Sequence, residues 1–274
     1  MIEERLWNAP SPRGALPEED GVVLMPLKAR AEDLTAAQAA AINWAVGHLG
    51  PAAQENLWFN PPVVLKHREG GVEIDQLHER IIEIPYAMAS LALVPNGGRI
   101  LDVGSNESTF PVSLAMLGYQ VTALDQIRYP FTHPSLKVEV SDIQDWAGPE
   151  LPLDAMFCIS SIEHFGLNHY GSGHHGEALD AYTLQQARTW LRPGGVLVIT
   201  VPYGLPRVTE KERIYGPGIM DHFSEGWEIL NKQIYIQTAA TCWTLWDGTD
   251  PEPEWTEQTR GVLMLRARRL GVEK

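Results

Sequence analysis

Four apolar runs in this chain end in residues able to hold or transform a polar ligand. Arg99–Ser108 reads RILDVGSNES, with an acid at Asp102, a tight Gly104, then Ser105 and Asn106. Glycine lets the backbone approach a ligand closely, and a helix N-terminus beyond it offers unpaired N–H groups to a carboxylate. The next run ends in Asp125–Gln126, where a carboxylate suits paired hydroxyls such as those of a ribose. A third ends in Asp142–Ile143 with Trp146 nearby, an acid and apolar neighbours fit to bond and sandwich a purine ring. The fourth ends in Ser160–Ser161–Ile162–Glu163–His164. An imidazole titrates near neutral pH, so His164 can take a proton or orient a substrate; it can equally serve only as packing beside a ligand.

Further groups follow. Tyr203, in VPYG after a fifth apolar run, points to the same crevice; with His164 and Glu163 it forms the candidate catalytic set. Asn168–His175 is a Gly-rich polar loop of the kind that covers substrates, and its His169 and Tyr170 are candidate substrate contacts. Arg213 and Tyr215 lie in a long connection able to close over an acceptor, as does Arg207. His164, His169, His174 and His175 also raise a metal site. No Asp–Asp or His–x–x–x–His frame supports one, adjacent His174 and His175 cannot easily share an ion, and no metal is expected.

These residues need a scaffold that gathers strand ends. Apolar runs at Arg99–Gly104, Gln120–Asp125, Leu136–Asp142, Leu153–Ser160 and Val196–Val201 alternate with helical patterns at Thr109–Leu117 and Ala178–Leu191. Strands alternating with helices predict βαβ units and a parallel sheet covered on both faces. In such a sheet, ligands sit beyond the carboxyl ends of the strands. A helix is expected at Gly218–Leu230, then strands at Lys232–Thr238 and Gly261–Arg268 joined as an edge hairpin across an acidic, Trp-bearing insert. Upstream, residues 1–33 read as a loose arm, with helices at Leu34–Leu49 and His78–Val94. The expected division is an arm and helical cap over 1–95 and a ligand-binding domain over 96–274. On the second helix, His78, Glu79, Arg80 and Glu83 could reach a ligand or simply pair on the surface.

The whole-chain charge narrows the partners. A formal charge of -14 and a pI near 5.0 disfavour nucleic acid and acidic membrane surfaces, whose binding rests on Lys and Arg. Two distant cysteines, Cys158 and Cys242, make neither a disulfide framework nor a zinc site. With no signal-like or membrane-spanning run, a cytoplasmic location is expected. A homodimer is left open.

The strings LDVGSNES, VTALD, VSDIQDW, LDAMFCISSIEHFG and LRPGGVLVITVPYG resemble, in order and spacing, the motifs of class I S-adenosylmethionine-dependent methyltransferases, over residues 97–270. The resemblance implies a Rossmann-like methyltransferase fold: a doubly wound, mostly parallel seven-stranded sheet, here with an N-terminal helical cap. It implies S-adenosyl-L-methionine as cofactor, with Asp102, Gly104, Ser105 and Asn106 along the methionine part. Asp125 would then hold the ribose and Asp142 and Ile143 the adenine, with Gln126 and Ser160 completing the set. The sequence departs from the family's GxGxG loop, since Asn106 and Ser108 replace the second and third glycines. Asn tolerates left-handed backbone, and Ser108 can cap the helix that follows. The expected activity is O-methylation, before N-methylation, of a small molecule or saccharide in a bacterial glycan or specialised-metabolite pathway. The competing expectation is a catalytically degenerate protein that uses the cap and the Trp243–Trp255 insert to bind another protein. A nicotinamide oxidoreductase is disfavoured because the first turn lacks GxGxxG.

Overall fold

A computed structural model describes residues 33–46, 62–106, 108–167, 178–248 and 253–271. The segment Leu153–Ile159 (β6) is buried at every residue, which only a strand covered on both faces can sustain. Its side chains alternate between two cores. Phe157 and Ile159 join Ile100 and Val198 beneath Tyr86 and Ala87 on one face, with Phe110 and Leu114. Met156 and Cys158 join Leu101, Leu197 and Ile199 on the other, against Leu184, Ala187 and Trp227. Each such large aliphatic side chain stabilises the fold by about 1.5–3 kcal/mol relative to exposure.

Beside β6 lie Arg99–Val103 (β3), Gln120–Asp125 (β4) and Leu136–Val140 (β5), all parallel, and Leu191–Tyr203 (β7), parallel to β6. The covering helices are Arg80–Ser90 (α2), Phe110–Met116 (α3) and Leu179–Trp190 (α4), after an N-terminal helix Ala36–Val46 (α1). Arg207–Val208 (β8) and Arg213–Ile214 (β9) form a separate antiparallel ribbon, and the strand order of the main sheet is β11-β10-β12-β7-β6-β3-β4-β5, where β10 is Trp227–Ala239, β11 Cys242–Trp246 and β12 Gly261–Arg269. Thus β12 runs antiparallel between β7 and β10. The doubly wound, mostly parallel sheet expected from the strand–helix alternation is present.

Three details differ from expectation. The sheet has eight strands rather than seven, because part of the Trp-bearing insert folds as β11 and pairs antiparallel along β10. No α-helix occupies Gly218–Leu230. Pro217–Phe223 is a 3₁₀ turn, and β10 begins at Trp227 just after Gly226 turns the chain at φ 75°. Ile219, Phe223 and Trp227 repeat every four residues and all reach the core, which imitates a helix, but a turn and a strand start supply them. Between α1 and α2 the chain forms a hairpin, Val63–Arg68 (β1) and Gly71–Leu77 (β2), turning on Gly70 at φ 107°. Val72, Glu73, Ile74 and Asp75 of β2 alternate apolar and charged, as a half-exposed ribbon does. This hairpin leans on the β10–β11 turn: Leu77 donates its N–H to Ala240 and accepts from the Gln237 and Trp243 side chains. α2 runs unbroken through Pro85 and packs directly on the sheet. The expected arm over 1–33 lies outside the described residues except for Asp33.

Candidate functional site

The carboxyl ends of β3, β4, β5 and β6 open onto one cleft of about 1030 Å³, continuous with solvent. Every cofactor residue expected from the sequence lines it except Ser105, and so does His164. Gly104 makes the sharp exit from β3. Its φ is 76°, and a Cβ there would stand 2.4 Å from Cβ of Ser161, so only glycine fits. Its N–H donates to Leu124 O at 2.9 Å, tying the loop to β4. Asn106 does not use left-handed backbone; Ser160, at φ 41°, is the described non-glycine residue that does. The loop therefore needs one glycine for its turn, and the departure from GxGxG leaves the cleft open. Ser108 Oγ accepts the N–H of Phe110 at 3.0 Å, and so steadies the start of α3.

Asp125 is bonded through both oxygens, to the N–H of Asn106 at 3.0 Å and of Ile127 at 2.9 Å. Gln126 donates its side-chain amide to Asp142 at 2.9 Å, and Asp142 also accepts from the N–H of Gln144 at 2.9 Å. Ile143 lies buried behind them. Burial pushes the Asp102 carboxyl up to about 7, aided by the charge of Asp125 and opposed by Arg80. Burial also raises Asp125, against the stabilising N–H donors at its oxygens. Two polar atoms at the loop have no hydrogen-bond partner among the described residues, Ser105 Oγ and Asn106 Oδ1.

The opposite wall comes from α2 and the 3₁₀ turn Ile162–His164. Arg80 lines the cleft, and its guanidinium meets Glu83 at 2.6 Å. Burial works against its charge, yet Glu83, Glu79 and Glu163 together hold its pKa above the usual value. Glu83 is wholly buried and accepts the Ser160 hydroxyl at 2.6 Å. His164 Nδ1 lies 2.6 Å from the carbonyl of Lys211. A carbonyl only accepts, so Nδ1 carries the proton and Nε2 is the basic nitrogen of the neutral ring. Nε2 is 3.8 Å from Oε1 of Glu163, whose carboxyl is buried and held well above the ordinary carboxylate range by that burial.

The remaining candidates are placed elsewhere. Tyr203 does not reach the cleft; it is buried in the core with its ring 5.3 Å from that of Trp255. Tyr203 does end β7, as expected, paired opposite Gly261 of β12, but its side chain is buried in the core instead of facing the crevice. Arg213 and Tyr215 lie beneath the His164 turn rather than on the described cleft wall. Arg213 donates to the carbonyls of Glu163 and Phe165 and stands 3.8 Å from Asp180, which also accepts the Tyr215 hydroxyl at 2.8 Å. His169 and Tyr170 lie outside the described residues, as do His174 and His175. Among the described residues, no group of three His, Cys, Asp or Glu side chains is placed to hold a metal ion. Sequence reasoning left Glu83 and Arg80 open, because charges at helical spacing read equally well as surface pairs. It missed Ile127, Phe165 and Leu167 on the wall, apolar residues that carry no signal until the loops are folded.

The family described as "Caenorhabditis protein of unknown function, DUF268" matches residues 134–267. A search of curated proteins finds no match. Among solved structures, the chain is similar to the Burkholderia thailandensis 1,6-didemethyltoxoflavin-N1-methyltransferase, determined with 1,6-didemethyltoxoflavin and S-adenosylhomocysteine. Identity there is 15%, over 70% of this chain and 80% of that one, with a TM-score of 0.49. It is also similar to the N-methyltransferase NodS of Bradyrhizobium japonicum WM9 in complex with S-adenosyl-L-homocysteine. Here identity is 14% over 70% of this chain and 87% of that one, with a TM-score of 0.45. The chain's own strand order, with antiparallel β12 set between β7 and β10, gives it the Rossmann-like methyltransferase fold.

Proposed function

We propose that this protein is an S-adenosylmethionine-dependent methyltransferase that O-methylates a small-molecule or saccharide acceptor. The observation that carries the reading is the sign of the cleft. Asp102, Asp125 and Asp142 face it from three successive strand ends, and the arginine on the wall among the described residues, Arg80, is already paired with Glu83. Such a wall favours a cation and repels the diphosphate of a nicotinamide dinucleotide. A sulfonium with an α-ammonium suits it.

The residues present fit that group. Gly104 provides close backbone approach at a place where a Cβ has no room, and the loop beside it holds two polar atoms without a partner among the described residues. Asp125 would take the ribose hydroxyls through the outer lone pairs of its oxygens, having been oriented by two backbone donors. Asp142, Gln126 and Ile143 would receive the adenine. When bound, S-adenosylmethionine supplies a methyl on a positively charged sulfur, activated without further acid. The chain then has to position the acceptor, keep water away, and take a proton. Nε2 of His164 is the group for the last task, its tautomer set by Lys211 and its turn clamped by Arg213.

Calorimetric titration with S-adenosylmethionine, S-adenosylhomocysteine and NAD tests the reading. Micromolar binding of the first two and none of NAD is expected, followed by oxygen methylation in a screen of sugars and phenols. Binding of NAD in preference to S-adenosylhomocysteine overturns it.

A further inference from the structure

Away from the cleft, β12 places an arginine where its alternation calls for an apolar side chain. Val262, Met264 and Arg266 share one face of the strand, and the first two belong to the core beneath α2. Arg266 follows them on that face and is half-buried. Its guanidinium lies over the Tyr86 ring at 4.9 Å, and it donates to Ser90 Oγ at 2.9 Å and to the Tyr86 carbonyl at 3.4 Å. These partners are all neutral. Arg260 and Arg268, before and after it in the chain, meet Glu79 at 2.9 Å and Glu228 at 2.8 Å. Among the described residues no carboxylate pairs with Arg266. In a chain of formal charge -14, a half-buried cation without a counter-charge is unfavourable unless something else supplies the anion.

The same arginine lines an open groove of about 700 Å³ that shares no described lining residue with the cleft. Pro85 and Ala89 border it from α2, Gln233 and Tyr235 from β10, and Met264 beside Arg266 from β12. Among the described residues no acid borders it. The groove thus combines an apolar wall, neutral hydrogen-bonding groups and one cation. A guanidinium fork matches a carboxylate in shape and charge, and the apolar wall suits a hydrocarbon or aryl body. A single cation answers a monoanion better than a phosphate dianion. We propose that this groove is a binding site for a small carboxylate with an apolar body, its anionic end held by Arg266. The groove's role is independent of what the cleft binds.

Hexanoate is the probe and hexanamide its neutral counterpart. Each is titrated into isotope-labelled full-length protein at about pH 7, where the acid is ionised, and backbone amide NMR shifts are followed. Hexanoate is expected to bind with a dissociation constant of about 1 mM, in keeping with so few atoms, and to move amides of α2, β10 and β12. Arg266→Gln should weaken hexanoate about tenfold, and hexanamide should bind wild type about tenfold more weakly than hexanoate. Ala89→Trp fills the groove from an exposed helix position and should abolish binding while the rest of the spectrum stays native. This second variant decides the matter even if Arg266→Gln does not fold. No binding of hexanoate to wild type, equal affinity for hexanamide, or unchanged affinity in either folded variant overturns the proposal.

Discussion

The carboxylate of Asp125 accepts the backbone N–H of Asn106 at 3.0 Å, so the acid that ends β4 holds the loop that leaves β3. Its second oxygen takes the N–H of Ile127, fixing the side chain between two strand ends. One residue thus shapes the loop and faces the cleft.

Asp125→Ala is expected to weaken S-adenosylhomocysteine binding by about 100-fold, the equivalent of about 3 kcal/mol for charged hydrogen bonds lost. Asp125→Asn keeps an acceptor for one of the backbone donors and should lose less. Titration calorimetry reads both. Wild-type affinity in Asp125→Ala would remove the ribose assignment.

Gly104→Ala places a methyl 2.4 Å from Ser161 Cβ at a backbone φ of 76°. Strain and overpacking of this kind cost about 1–3 kcal/mol each. A matching fall in stability by denaturant unfolding is expected, together with loss of cofactor binding. A variant as stable as wild type would mean that the β3 exit is looser than its geometry indicates.

Asp102 gives the stability a definite pH dependence. Its folded-state pKa of about 7 stands above the unfolded value of about 3.9, so between these pH values the folded state holds the extra proton. Stability is therefore greatest below about pH 4 as far as this group is concerned, and it declines as pH rises through 7, by up to ~1.4 kcal/mol per unit. Asp125 and Glu163, also raised by burial, act with the same sign. Unfolding curves between about pH 4 and 7 should show the decline, and Asp102→Asn should flatten it. A bound cation favours the ionised acid, so cofactor affinity should strengthen over the same interval.

His164→Ala is expected to lower kcat by about 100-fold or more while leaving S-adenosylhomocysteine affinity unchanged. The readout is turnover with an acceptor found by the oxygen-methylation screen. Full turnover would end the assignment of His164 as base.

Arg213→Ala removes donors to the carbonyls of Glu163 and Phe165 and leaves Asp180 buried beside Tyr215. Loss of about 3 kcal/mol in stability is expected, as for breaking a buried ion pair from one side. Chemical denaturation measures it. A stable variant with only KM raised would show instead that Arg213 meets the substrate.

Alternation of apolar runs with helical patterns was enough to read the parallel sheet from β3 to β7, because a strand buried on both faces must be continuously apolar, as Leu153–Ile159 is. The same strings placed Asp102, Gly104, Asp125, Asp142 and His164 at strand ends, and strand ends converge on one edge in any parallel sheet, so their meeting in one cleft was legible too. Tertiary structure decided what periodicity cannot encode. Trp227 continues a four-residue apolar spacing from Ile219, but pairing with Arg269 makes it the start of β10 rather than the end of a helix. Tyr203 has the sequence setting of a site residue, yet packing against Trp255 takes it into the core. Glu83 looks like one of several surface charges on α2 until the helix docks and buries it against Ser160. Local spacing determines which residues share a face or a strand end; which neighbour that face meets depends on contacts between segments far apart in the chain.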